Sequence, residues 1–138
     1  MQTLLRFGPP LLLMAVIFGL SAQPNLGTGL GTWDTILRKG AHMAEFGLLW
    51  WLWWRAFGYR WVGAAVAITL AYAASDELHQ RFVEGRHGSP LDWLIDAAGV
   101  AVAIALTRLA SWRVGILKET VDRADGDHDV EAINPPAP

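Results

Sequence analysis

Residues 61–80, WVGAAVAITLAYAASDELHQ, decide how this chain is interpreted. The stretch is almost entirely apolar until Asp76, Glu77 and Gln80 near its end. A helix of ~20 residues, rising ~1.5 Å per residue, crosses ~30 Å of hydrocarbon. A carboxylate at mid-membrane costs ~2.5 kcal/mol or more, so such groups usually pair inside a bundle and mark function. The stretch therefore predicts a transmembrane helix with working residues at one end.

The composition of the whole chain favours a one-domain membrane protein. Of its 138 residues, 53% are hydrophobic and only 17% are charged, whereas soluble domains are ~25% charged. Apolar segments occur at about residues 4–22, 36–54, 61–80 and 92–110, each close to the length of a membrane span. The predicted fold class is all-α, an integral membrane four-helix bundle that forms one domain over residues 1–115.

The predicted remainder, residues 116–138, is a disordered acidic C-terminal tail. Residues 1–118 hold ten Lys/Arg and seven Asp/Glu, whereas the rest holds one Arg and six acids. Almost no large apolar side chain is present there to offset the entropy of ordering the chain. We expect this tail to lie in the cytoplasm.

The first segment has two interpretations. Arg6, the apolar stretch after it and the small residues before Ala22 also fit a signal peptide with a cleavage site. From the sequence alone, the segment is either a retained span or a cleaved leader.

Basic residues near the ends of the segments predict sidedness, because cytoplasmic loops carry the excess of Lys and Arg. One side has Arg6, Arg55, Arg60, Arg108, Arg113 and Lys118, and the other has Arg38, Lys39, Arg81 and Arg86. Six against four predicts that both termini are cytoplasmic. At the cytoplasmic ends of the second and third segments, an interfacial aromatic belt is predicted from Trp50, Trp51, Trp53, Trp54 and Trp61.

Polar side chains of three segments are expected to meet at one depth near the outer face. They are Lys39, His42 and Glu45 of the second segment, Asp76, Glu77, Gln80 and Arg81 at the end of the third, and Ser89, Asp92 and Asp96 of the fourth. Residues three or four apart share one face of a helix, so Glu77 can also pair with Arg81. Ser89 or Asp92 is the expected N-cap of the fourth helix.

The charges of this cluster do not balance. Its acids are Glu45, Asp76, Glu77, Asp92 and Asp96, and its fixed cations are Lys39, Arg81 and Arg86. Protonated His42, protonated acids or a bound cation would relieve the excess. Shared protons suit general acid–base catalysis, and His with carboxylates suits a divalent ion. The sequence leaves open whether a metal or another cofactor binds.

Five short motifs, in order, resemble the VanZ-like family of small bacterial membrane proteins over about residues 10–110. They are FGLSAQ at 18–23, KGAHMAEF at 39–46, DELHQRF at 76–82, GR at 85–86 and SPLD at 89–92. The resemblance implies a multi-pass protein of the bacterial inner (plasma) membrane. It also implies a link to glycopeptide resistance, because the founding member is associated with low-level resistance to teicoplanin.

The resemblance also carries over the family's motif positions. They are Ser21, Lys39, His42, Glu45, Asp76, Glu77, Gln80, Arg86, Ser89 and Asp92. The chain departs from the family's pattern at Asp96, where Asn is usual, and at Ala103, where a second Gly is common. Asp96 adds negative charge to an acidic site, which favours proton sharing or cation binding.

The first functional hypothesis is a site at the outer leaflet that acts on or binds a cell-envelope precursor or a lipid headgroup. Glu77 or Asp76 would be the general base, oriented by Glu45 and His42. The substrate-binding set is Arg86, Gln80, Lys39, Arg81, Asp92, Ser21 and Ser89. In it, Arg86 would bind a phosphate or carboxylate with Arg81 as helper, or would instead pair with Asp92.

The alternative is a non-enzymatic membrane protein that binds the antibiotic or a partner, with the polar cluster as interhelical glue. A transporter is less favoured, because four helices are few and no inverted repeat is visible. Nucleic-acid binding is not expected, since the chain has no basic stripe. Cysteine is absent, which excludes thiolate metal sites and cysteine nucleophiles. The oligomeric state is not predicted.

Overall fold

The computed structural model describes residues 1–24, 32–86 and 88–133 of the chain, and these ranges are helical apart from short connections. Its helices are α1 (Gln2–Ser21), α2 (Thr32–Ala56), α3 (Val62–Gln80) and α4 (Pro90–Ile133). The predicted all-α fold class is confirmed. The last five residues of the predicted tail lie outside the described residues.

The first of two compact units covers Met1–Ile104 and contains α1, α2, α3 and the beginning of α4. All four helices contribute buried apolar side chains to its core. These are Ile17 of α1, Phe46, Leu49 and Trp50 of α2, Ala65 and Ala73 of α3, and Val100 of α4. The small residues on α3 allow the larger side chains of α2 to pack closely against it.

The close approach of α4 to α2 depends on glycine. A Cβ atom on Gly99 would collide with the backbone carbonyl of Met43, and one on Gly47 would lie 3.0 Å from the Gly99 carbonyl oxygen and 3.3 Å from Cβ of Ala103. This contact uses the small-residue spacing of Gly99 and Ala103 that helix pairs in membranes favour. It brings the first turns of α4 against α2, where the polar residues lie.

The tryptophans differ from the predicted interfacial belt. Trp50 is 1% exposed and Trp53 is 9% exposed, so both belong to the core. Trp50 stacks on Trp54 with ring centroids 5.3 Å apart, and Trp53 stacks on Phe57 at 5.7 Å. Only Trp61 of the five is strongly exposed. The belt interpretation is wrong for Trp50 and Trp53, because both rings are buried in the core, where Trp53 also packs against Phe7 of α1.

The second unit begins at Ala105 and consists of the remainder of α4. Its apolar side chains Leu106, Trp112 and Leu117 are exposed. The helix runs to Ile133, whereas the composition predicted disorder from residue 116. No proline follows Pro90 until residue 135, and the intervening segment contains eight alanines, which favour helices.

Two helices among the described residues are long and apolar enough to cross a membrane, Gln2–Ser21 and Pro90–Glu119. A signal sequence near the N-terminus meets the same criterion, so both interpretations of the first segment stay open. The predicted spans in α2 and α3 are less apolar, because α2 contains Lys39 and Glu45 and α3 ends with Asp76 and Glu77.

Candidate functional site

A cavity of about 270 Å³ lies where the N-terminal turns of α2 and α4 meet the C-terminal turn of α3. Its lining is Arg38, Lys39, His42, Glu77, Gln80, Gly85, Arg86, Asp92, Ile95 and Asp96. Glu77 and Asp96 are buried, whereas the Lys39 side chain is 40% exposed. We call Glu77 and Asp96 the acidic floor, and we call Arg38, Lys39 and Arg86 the basic rim.

Ser89 is the N-cap of α4. Its Oγ accepts a hydrogen bond from the Asp92 N–H at 3.1 Å and donates one to Asp92 Oδ2 at 2.8 Å. The Ser89 N–H donates to Glu77 Oε2 at 2.8 Å. Gly88 lets the backbone come this close, because a Cβ there would collide with the Glu77 carbonyl. The start of α4 therefore holds one oxygen of Glu77 in place, and the predicted cap is confirmed for Ser89.

Lys39 and Asp92 form an ion pair between α2 and α4, with Nζ 2.9 Å from Oδ1. Asp92 thus has Lys39 on one oxygen and Ser89 on the other. This arrangement replaces the pairing of Asp92 with Arg86 that the sequence left as an alternative.

Arg86 crosses to the end of α1. Its Nε donates to the carbonyl of Gln23 at 3.0 Å, and its Nη2 donates to the carbonyl of Leu20 at 3.1 Å. These carbonyls lie at the C-terminal end of α1, where a helix leaves acceptors without partners and favours a cation. Arg86 therefore donates two of its N–H groups to the end of α1 and also lines the cavity.

The surroundings of Arg86 in the basic rim disfavour the positive charge of its guanidinium group. Burial lowers the pKa of the Arg86 guanidinium, and the neighbouring Arg38 lowers it further. An anion bound at the rim would stabilise both guanidinium groups. Arg38 was not among the predicted site residues, because the sequence offered only its charge and its position beside Lys39.

Arg81 is exposed and lies outside the cavity lining. Its Nε donates to the Gly88 carbonyl at 3.3 Å, at the base of the loop. The structure therefore joins Arg81 to the backbone of this loop instead of pairing it with Glu77, whose Oε2 is held by Ser89.

Asp76 lies in a separate hydrogen-bonded network between α1 and α3. Its Oδ2 accepts hydrogen bonds from Ser21 Oγ and from Gln80 Nε2, both at 2.9 Å. All three residues are less than 10% exposed. Gln80 also lines the cavity, whereas Ser21 and Asp76 do not, so the network lies beside the cavity. The partners of Asp76 are neutral, which is the arrangement expected of interhelical hydrogen bonds.

His42, Glu77 and Asp96 meet at the bottom of the cavity. One potential ligand atom from each residue lies within 4.8 Å of those of the other two. His42 Nδ1 is 3.3 Å from Asp96 Oδ1. His42 is the one described group near Asp96 Oδ1, and neither Asp96 Oδ2 nor Glu77 Oε1 has a hydrogen-bond donor. Buried carboxylate oxygens without donors are costly, so this part of the site requires a compensating group.

Six of the predicted site residues line the cavity, namely Lys39, His42, Glu77, Gln80, Arg86 and Asp92. The lining does not include Ser21, Glu45, Asp76, Arg81 or Ser89. Glu45 is half-buried on α2, three residues after His42. Asp96 also lines the cavity. The sequence placed it in the acidic cluster, on the same helix face as Asp92, but it was given no catalytic or binding role.

Comparison with known proteins gives one family match. The VanZ/LLP1 family model matches residues 7–111, which include most of α1, all of α2 and α3, and every residue of the cavity lining. No curated protein and no solved structure matches the chain.

Proposed function

This chain belongs to the VanZ/LLP1 family, and on that premise we propose that it is a multi-pass protein of the bacterial inner membrane. Its cavity binds the anionic headgroup of a cell-envelope lipid or lipid-linked precursor. In this proposal the four predicted segments all span the bilayer, both termini are cytoplasmic and the cavity opens at the outer leaflet.

Exposed apolar side chains support the membrane location. Leu4 and Leu12 of α1 are 75% and 67% exposed, and Leu106 of α4 is 60% exposed. Large apolar surfaces are rare on soluble monomers, whereas lipid tails solvate them at no cost. Lys39 and Glu77 are tolerated in such a bundle because they line the cavity, and Asp76 is tolerated because it accepts two hydrogen bonds from Ser21 and Gln80.

The basic rim above an acidic floor is the observation that carries the proposal. Arg38, Lys39 and Arg86 line the cavity and are half-buried, whereas Glu77 and Asp96, which also line it, are buried. A phosphate or carboxylate at the rim gains charge-assisted hydrogen bonds. The hydroxyl groups of a headgroup, or a cation bound to it, would reach Glu77 and Asp96. A ligand from cell-envelope synthesis also agrees with the family's association with glycopeptide resistance.

Binding can be measured with the protein in nanodiscs, titrated with a polyprenyl phosphate and analysed by native mass spectrometry. Each basic residue near a membrane surface contributes ~1 kcal/mol, so Arg38→Gln or Lys39→Gln should weaken binding about fivefold. Arg55→Gln is the matched control, because Arg55 is exposed at the opposite end of α2. Equal affinity in all three variants would contradict the proposed site.

A second experiment tests whether the acidic floor is needed in cells. Glu77→Gln should abolish a teicoplanin-resistance phenotype while the protein still accumulates in the membrane. Glu84→Gln is the control, since Glu84 is an exposed loop residue. Normal resistance in Glu77→Gln would remove this carboxylate from the function.

The second candidate is a non-enzymatic protein that binds antibiotic or a partner, with polar residues as glue. The bonds from Ser21 and Gln80 to Asp76 favour it for that part of the cluster. Under this alternative, Asp76→Asn and Glu77→Gln would lower membrane abundance and phenotype together. Loss of phenotype alone in Glu77→Gln would favour the ligand site.

A further inference from the structure

We propose that His42, Glu77 and Asp96 bind a divalent transition-metal ion, Zn²⁺ or Mn²⁺, at the bottom of the cavity. The proposal deepens the proposed function, because the ion would lie below a bound anionic headgroup. Its own basis is the geometry and charge of these three side chains, which do not depend on the identity of that headgroup.

Three different helices supply the ligands. His42 is on α2, Glu77 on α3 and Asp96 on α4, and their candidate ligand atoms all lie within 4.8 Å of one another. Ligands at about 2.0–2.2 Å from one Zn²⁺ or Mn²⁺ ion are separated by up to ~4.4 Å. Small side-chain rotations therefore suffice to bring all three atoms onto one ion. The packing of Gly99 on Met43 fixes α4 against α2 beside the site.

The second observation is the lack of hydrogen-bond donors for these buried oxygens. Asp96 is 0% exposed, its Oδ2 lacks a donor, and its Oδ1 has only His42 Nδ1 at 3.3 Å. Glu77 is 6% exposed and its Oε1 lacks a donor. Both residues line the cavity. Buried polar atoms in native proteins nearly always have partners. A metal ion at this point would supply the missing partner to Asp96 Oδ2 or Glu77 Oε1.

The nearby cations with described contacts are engaged elsewhere. Lys39 pairs with Asp92, and Arg86 donates to two backbone carbonyls of the α1 terminus. Two carboxylates and a neutral imidazole carry a charge of −2, which one divalent ion balances. Without the ion, protonation of His42 would balance only one of the two acids. A measurement of metal uptake distinguishes the metal-bound site from this protonated state.

The ligand set selects the class of ion. An imidazole nitrogen with two carboxylates suits Zn²⁺ or Mn²⁺, whereas Ca²⁺ and Mg²⁺ prefer oxygen ligands alone. Three protein ligands leave at least one coordination position for water or for a phosphate oxygen. The cavity above the trio provides room for that ligand.

The test uses the full chain, purified in detergent with a tag that lacks histidine and stripped with chelator. After titration with Zn²⁺ alone or Mn²⁺ alone, elemental analysis should find one ion per chain. Loss of even an outer-sphere partner weakens metal sites ~10–100-fold, so Asp96→Asn and His42→Gln should weaken binding by at least about tenfold. Asp76→Asn is the matched control, because Asp76 is an equally buried acid outside the trio.

Two further measurements keep the test independent of folding and of adventitious binding. Circular dichroism and tryptophan fluorescence report whether each variant is folded. His128→Gln, in the acidic C-terminal segment, should not change uptake. X-ray absorption of the Zn²⁺ form, or nitrogen-coupled electron paramagnetic resonance of the Mn²⁺ form, should show one nitrogen ligand with the rest oxygen. A folded wild type that binds neither ion, or a shell without nitrogen, would overturn the proposal.

The metal and headgroup results are separable. Metal uptake is measured without lipid, and polyprenyl phosphate binding is measured both with chelator present and with the metal ion added. Metal uptake without lipid binding would refute the proposed function and leave the metal site standing. Lipid binding without metal uptake would refute the metal site and leave the proposed function standing.

Discussion

Asp96 Oδ1 lies 3.3 Å from His42 Nδ1, and this contact joins α4 to α2 at a point where Asp96 has no solvent exposure. The other oxygen of this carboxylate, Oδ2, has no donor. A buried charge with one imperfect partner weakens a fold unless another group compensates for it. The residues around Asp96 therefore serve a purpose other than maximum stability.

Asp96→Asn should raise the free energy of unfolding in detergent with chelator present, by ~1–3 kcal/mol, because a neutral amide costs less to bury than an unsatisfied carboxylate. Asn is also the residue that the family resemblance led us to expect at this position. Denaturant titration followed by tryptophan fluorescence measures the change. A lower stability for the Asn variant under these conditions would mean that the His42–Asp96 pair is itself stabilising.

Ser21→Ala should destabilise the bundle by ~1–2 kcal/mol, because the buried Asp76 loses a donor. Combined with Asp76→Asn in a double-mutant cycle, the coupling energy should lie near ~0.6 and not exceed ~1.7 kcal/mol. The control is Ser75→Ala, whose hydroxyl makes an exposed local bond to the Tyr72 carbonyl. Equal effects of the two alanine variants would show that the network between α1 and α3 adds little.

Arg86→Lys should lower stability by ~1–2 kcal/mol, because an ammonium group cannot reproduce both guanidinium bonds to the Leu20 and Gln23 carbonyls. Arg81→Lys should change it by less than ~0.5 kcal/mol, since Arg81 is exposed and its contact to Gly88 is 3.3 Å. Thermal unfolding of both variants in one detergent makes the comparison. Indistinguishable melting curves would argue against a capping role for Arg86.

Gly99→Ala should destabilise by ~1–3 kcal/mol, because its Cβ would collide with the Met43 carbonyl and push α4 away from α2. Gly115→Ala is the control on the same helix. It has nothing within 4 Å of the added Cβ, so it should be neutral or stabilising by up to ~1 kcal/mol. Chemical denaturation measures both. A harmless Gly99→Ala would mean that the two helices are not in close contact there.

Much of the fold and part of the cavity could be predicted from local pattern. Apolar segment length and the polar breaks between segments gave four helices, and Ser89 was a recognisable cap. Spacing along one helix face put Lys39 beside His42, and both line the cavity. The burial of Trp50 and Trp53 was not predictable, because it depends on packing between helices, such as that of Trp53 on Phe7 of α1.

Spacing along the sequence also could not predict the partners of the charged residues. Within one helix, Glu77 and Arg81 are well placed to pair, yet each is bound to the loop that precedes α4. Arg86 was expected at a ligand or at Asp92, and it reaches the end of α1 instead. Such choices depend on distances between elements far apart in sequence, which no periodicity encodes.

Local sequence pattern is enough to predict apolar helices with ionisable residues near some of their ends, because helix length and amphipathic spacing are local properties. Which of those residues meet depends on how the helices pack. The glycine contact between α2 and α4 brings His42 to Asp96, and the loop at Gly88 adds Glu77. Side chains from three helices form one site only when backbone packing fixes the separation of those helices, and packing is a property of the whole fold.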